Sequence, residues 1–123
     1  MLLNVAVRCK KKEAEPSLDG NWKPREVAGV LENGVDVTIG WTAFRLNIQG
    51  KNMRITNFDG TTLDLTFERI GSGIPFTIQL SNGQMFLNVR LGRESGKDFL
   101  FFQQEAPSDK VGVANRVFYL VRE

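Results

Sequence analysis

From about residue 33 onward, apolar and polar residues alternate in short runs, and turn-forming residues separate nearly every run from the next. A period of two sends successive side chains to opposite faces of an extended chain, so each run reads as a strand with one buried face. Val35, Val37 and Ile39 alternate with Asp36 and Thr38, and Phe44, Leu46 and Ile48 with Arg45 and Asn47. Met53 and Ile55 flank Arg54, while Leu63, Leu65 and Phe67 alternate with Asp64 and Thr66. Ile74, Phe76, Ile78 and Leu80, then Met85, Leu87, Val89 and Leu91, continue the rhythm. Asn33-Gly34, Asp59-Gly60 and Asn82-Gly83 are hairpin pairs, because both residue types tolerate the positive φ such turns demand. Gly50, Gly71-Ser72-Gly73 and Ser95-Gly96 supply slightly longer links. Links this short force antiparallel neighbours.

Strands are therefore expected near 22–30, 35–40, 43–49, 52–58, 62–70, 74–81, 84–91, 98–104 and 115–122, with no helix longer than about two turns. Eight or nine strands in a meander remove their exposed edges by closing. The expected fold is all-β, an antiparallel up-and-down barrel over residues 18–123. Residues 1–17 are read as an N-terminal tail or short extra strand with a charged linker. A two-sheet sandwich is the structural alternative.

The face expected inside carries Phe44, Leu46, Ile48, Met53, Ile55, Leu63, Leu65, Phe67, Ile74, Phe76, Ile78, Leu80, Met85, Leu87, Phe99 and Phe101. Trp41, Phe86 and Phe102 fall off that alternation. They are expected under a loop or, if grouped, on a partner-binding surface. An eight-stranded barrel is just wide enough to be filled by side chains or to hold one small ligand. The bulk of these residues favours filling.

Composition narrows the chemistry. The chain has no histidine, the commonest general base and metal ligand, so no metal site, cofactor or conventional catalytic constellation is expected. Asp64 and Glu68 share a strand face, but it is the solvated one. Residues 1–25 carry six Lys/Arg against three Asp/Glu, and the other 98 carry ten against eleven. A near-neutral body argues against nucleic-acid binding. No apolar stretch reaches the roughly 20 residues of a membrane-spanning helix. Cys9 is the single cysteine, which excludes an intrachain disulfide and suits a cytoplasmic protein. The alternative is a bacterial envelope lipoprotein anchored through Cys9, although Arg8 stands where processing needs a small residue.

Leu18-Asp19-Gly20-Asn21-Trp22-Lys23 ahead of a β-meander resembles the Gly-x-Trp opening of the calycins, the lipocalins and intracellular fatty-acid-binding proteins. The closing Val121-Arg122-Glu123 is similar to the end of some retinoid-binding members. The resemblance implies that Gly20 and Trp22 are structural, the indole crossing one end of the barrel against an arginine of the last strand. Arg116 is the expected cation. It further implies a non-catalytic protein holding a small hydrophobic ligand inside the barrel, with Arg116, Phe118, Phe44, Phe67, Phe76 and Phe99 as ligand-binding residues. Two departures stand out: Pro24–Asn33 is too short for a helical lid, and Tyr119 misses the Arg-x-Tyr spacing that group uses for a carboxylate. The alternative is a filled barrel acting through its surface on a protein partner, as an interaction module or inhibitor.

Overall fold

The computed structural model describes residues 16–104 and 115–123. Ten strands run in order: β1 Gly20–Pro24, β2 Val30–Glu32, β3 Val35–Asp36, β4 Arg45–Gln49, β5 Asn52–Thr56, β6 Thr62–Ile70, β7 Phe76–Leu80, β8 Met85–Glu94, β9 Lys97–Gln104 and β10 Arg116–Arg122. All pairings are antiparallel, and β10 pairs with both β9 and β1, closing β1-β4-β5-β6-β7-β8-β9-β10 into an eight-stranded barrel. The expected up-and-down barrel is the observed architecture. Cys9 and the rest of residues 1–15 lie outside the described residues.

The first expected strand is split. β1 and β2 both lie along β10, with Trp22 opposite Arg122 and Val30 opposite Phe118, and Arg25–Gly29 loop out between them. Thr38 Oγ1 accepts from the N–H groups of Gly29 and Val30 at 2.8 and 3.0 Å, and Asp36 accepts from Ala28 N–H. Those two side chains also explain why the strand expected over 35–40 stops at Asp36. Asp36 accepts from Thr38 N–H as well, a local side-chain bond that competes with a ladder. The chain turns there into a 3-10 helix, Thr38–Trp41. Val35 and Ile39 stay exposed despite their alternation.

Two departures concern which face is inside. Along β8, Phe76 of β7 stands opposite Val89 but Ile78 stands opposite Phe86, so β8 holds one extra residue. The bulge centres on Asn88, in the left-handed region at φ 52°. It reverses the facing of the preceding residues: Phe86 is buried with Val89 and Leu91, while Met85 is exposed and Leu87 half-buried. The expectation of Met85 and Leu87 inside is thereby corrected. In β9, Leu100 and Phe102 are buried, and Phe99 and Phe101 face outward against Tyr119, with ring centroids 5.5 and 6.2 Å away. Ile74 precedes β7 and is exposed.

β6 has the expected parity yet a half-open inner face. Its first half, Thr62–Thr66, pairs with β5, and only Phe67–Ile70 pairs with β7. Leu63 is consequently 40% exposed and Leu65 half-buried, at the end of the barrel where the wall is low.

Candidate functional site

The inward face of β10 reads Arg116, Phe118, Leu120, Arg122: a cation at each end and apolar side chains between. The two guanidiniums meet the two indoles of the chain. At one end Arg122 lies over buried Trp22, 4.3 Å from the ring centroid, and Trp22 Nε1 donates to the Leu18 carbonyl at 2.9 Å. Arg122 Nε donates to Asp98, and its two amino groups donate to the carbonyls of Ser17 and Asp19. This end is stoppered. The expected cation for Trp22 was Arg116; the cation is Arg122, because Arg116 lies at the other end of the strand.

At that other end Arg116 stands 5.0 Å from the centroid of Trp41, and its Nε donates to Glu32 Oε2 at 2.9 Å, the residue opposite it on β2. Here the barrel opens into a cavity of about 290 Å³. Phe44, Phe86, Phe102 and Phe118 form its floor, Trp41, Phe58, Leu63 and Ile55 its sides, and Asn57, Gln84, Gln104 and Arg116 its polar rim. The floor is a column of rings. Phe86 stacks on Phe102 at 4.0 Å, Phe102 on Phe118 at 4.7 Å, and Phe118 leans on Phe44 at 4.9 Å. Offset contacts of this kind add about 0.5–1.5 kcal/mol each beyond area burial. The column fills the middle of the barrel and confines open space to the mouth.

Among the expected binding residues, Arg116, Phe118 and Phe44 gather at the mouth. Phe67 and Phe76 are buried in the core away from that cavity, and the Arg69 guanidinium covers the Phe76 ring at 3.7 Å. Phe99 is on the outer wall, its ring against Gly92 and Tyr119, and cannot touch anything in the interior. Trp41, Phe86 and Phe102 belong to the mouth instead, contrary to their expected place off the core. A hint lay in the sequence for Phe86, which is out of phase with its neighbours as a single extra residue would make it, whereas Phe102 sits in the run Phe99–Phe102, apolar on both faces. Asn57, Gln84 and Gln104 carry no such signal.

The rim has donors to spare. Among the described residues no protein group bonds the two amino nitrogens of Arg116. A guanidinium offers five N–H donors, so most of this one remains available at the mouth. No group of three or more metal-ligating side chains occurs among the described residues, and no helix among them is long and apolar enough to cross a membrane.

The fold and this end define a small antiparallel β-barrel with a stoppered base and an aromatic-floored mouth. No protein-family model matches the chain, and no curated protein or solved structure matches it significantly.

Proposed function

We propose that the protein is a non-catalytic binding barrel that holds a compact, mostly apolar molecule in its mouth, with Arg116 facing any negative end group. The observation that carries this reading is the concave aromatic floor beneath a guanidinium whose donors are largely unused. Apolar clefts with few polar groups at the edge are the usual form of small-molecule sites. The Trp22–Arg122 stack at the base adds support for a calycin-like, lipocalin-type barrel. Size refines the ligand. A cavity of about 150 Å³ accepts one benzene, so 290 Å³ suits a two-ring or short-chain molecule rather than a long fatty acid or retinoid.

The test is titration with a naphthalene-based dye that brightens in apolar surroundings, followed by displacement with naphthoate, octanoate and palmitate. Saturable uptake, displaced by the two compact acids and weakened by Arg116→Gln, is the expected result. No saturable uptake of dye or acid would overturn the reading. It would leave a filled barrel acting through its outer surface on a protein partner, which the four-ring column in the barrel centre favours.

A further inference from the structure

The outer wall beside β1 holds a second recess, separate from the mouth. It encloses about 860 Å³, and Lys23, Arg25, Arg45 and Lys97 line it with Glu26 and Asp36. Two observations set the cations here apart from ordinary solvated charges.

Arg25 Nε is, among the described residues, the buried side-chain polar atom left without a hydrogen-bond partner. Its guanidinium lies on the Tyr119 ring, 3.6 Å from the centroid. Stacking uses the face of the guanidinium and leaves its in-plane N–H donors unanswered. A buried donor in that state is destabilising. Asp36 lies near enough to act on the Arg25 charge, but no acid of the recess bonds the Arg25 Nε–H. Asp36 is engaged by Thr38 and Ala28, and Glu26 is exposed and bonded to nothing among the described residues. The Tyr119 hydroxyl donates to Glu94.

The strand register makes the second observation. Trp22 stands opposite Leu46, so one step along the same ladder Lys23 faces Arg45. Like charges directly opposite on neighbouring strands are destabilising. Arg45 donates to Glu123 at 3.3 Å and to the carbonyls of Thr42 and Phe44, and among the described residues no acid meets Lys23. Arg25 follows Lys23 by two residues, just past the end of β1, where its backbone N–H donates to the Tyr119 carbonyl. The recess thus sets four cations against the two carboxylates of its own lining.

We propose that this recess binds the phosphate group of an anionic ligand, with Arg25 and Lys23 as its principal donors. A planar guanidinium presents paired N–H groups that match two oxygens of one phosphate, and an ammonium beside it supplies further charge. A phosphate there accepts from the Arg25 amino groups, which no acceptor among the described residues bonds, and offsets the charge of Lys23 and Arg45 together. The recess is larger than one phosphate, and Ile39, 90% exposed on its lining, offers an apolar edge for the rest of the molecule. The ligand class is a phosphate-bearing organic molecule, either a soluble ester or a lipid headgroup.

The experiment follows the arginine Nε–Hε signals of 15N-labelled protein at constant ionic strength. Inorganic phosphate is titrated in one arm. In the other arms the protein meets vesicles of phosphatidylcholine with and without phosphatidic acid. A saturable shift of the Arg25 signal with phosphate, weakened about tenfold or more by Lys23→Gln, is expected for a soluble ligand. A response confined to vesicles containing phosphatidic acid, lost in Lys23→Gln, assigns the phosphate to a lipid. Lys23 is exposed, so its variant folds as the parent does. An Arg25 signal indifferent to both probes, or binding unchanged in Lys23→Gln, overturns the proposal.

Discussion

At the scale of single residues, Gly20 shows how the sequence serves the base of the barrel. Its φ is 135°, a region L side chains rarely adopt, and a Cβ built there would lie 2.3 Å from an Arg122 amino nitrogen. That nitrogen cannot easily withdraw, because Asp98 and the Ser17 and Asp19 carbonyls hold the guanidinium. Gly20→Ala is therefore expected to destabilise by about 1–3 kcal/mol. Trp22→Ala should cost about 3–5 kcal/mol, as for other large aromatic deletions in cores; urea unfolding checks both. Tyr119 gives a spectroscopic prediction, since it is the one tyrosine of the chain. The bond its hydroxyl donates to Glu94, then burial and the Glu94 charge, raise its pKa above the ordinary phenol value, against a smaller opposing pull from Arg25. Ultraviolet titration should place the phenol midpoint above 10, and Glu94→Ala should bring it down. A midpoint unmoved by that substitution would deny the bond a role.

At the scale of elements, the β8 bulge decides which aromatics form the mouth. Asn88 tolerates the left-handed backbone better than most residues, and its amide donates to Gln103 on β9. Asn88→Val forces a β-branched residue into that conformation and removes the bond. A loss of about 1–3 kcal/mol is expected, whereas Asn88→Gly should lose less. Thermal melting of the two variants separates them. The bulge also marks where reading from sequence stops. Alternation gave the strands of the wall and the buried faces of β4, β5 and β7, because those strands run without interruption. It could not show an extra residue inside a continuous run, which turns Phe86 inward, nor choose the inner face of Phe99–Phe102, where every residue is apolar. Nor did it show the break at Arg25–Gly29, where Asp36 and Thr38 hold the loop from eight or nine residues away. The mouth was legible through Arg116, Phe118 and Phe44, whose strands keep their phase.

At the scale of the whole molecule, ion pairs tie distant strands together and give the fold a pH dependence. Asp98 is held below the usual carboxylate range first by its hydrogen bond from Arg93, with Arg122 adding to it. Asp36 is lowered by Thr38, Asp59 by Thr61 and Asp64 by Arg54. A carboxyl whose folded pKa lies below its unfolded one stabilises the fold above about pH 4 and loses that contribution as pH falls through the folded value. The melting temperature should stay level between pH 7 and about 5 and decline below, with Asp98→Asn flattening the decline. An acid limb equally steep in that variant would assign the loss elsewhere. Asp36, Asp59 and Asp64 are solvent-exposed, so each of their effects is small. The closure described above also has a consequence for biosynthesis. β10 is the partner of β9, β1 and β2 alike, and it lies about a hundred residues from β1. While the ribosome is still adding residues 116–122, the first strand has only β4 beside it, and the base and the mouth both lack their arginines. Cooperative folding of the barrel therefore waits until residues 116–122 have been made, and long-range pairing of this kind is slow. In the cell the nascent chain would present its open sheet to chaperones until the last strand arrives.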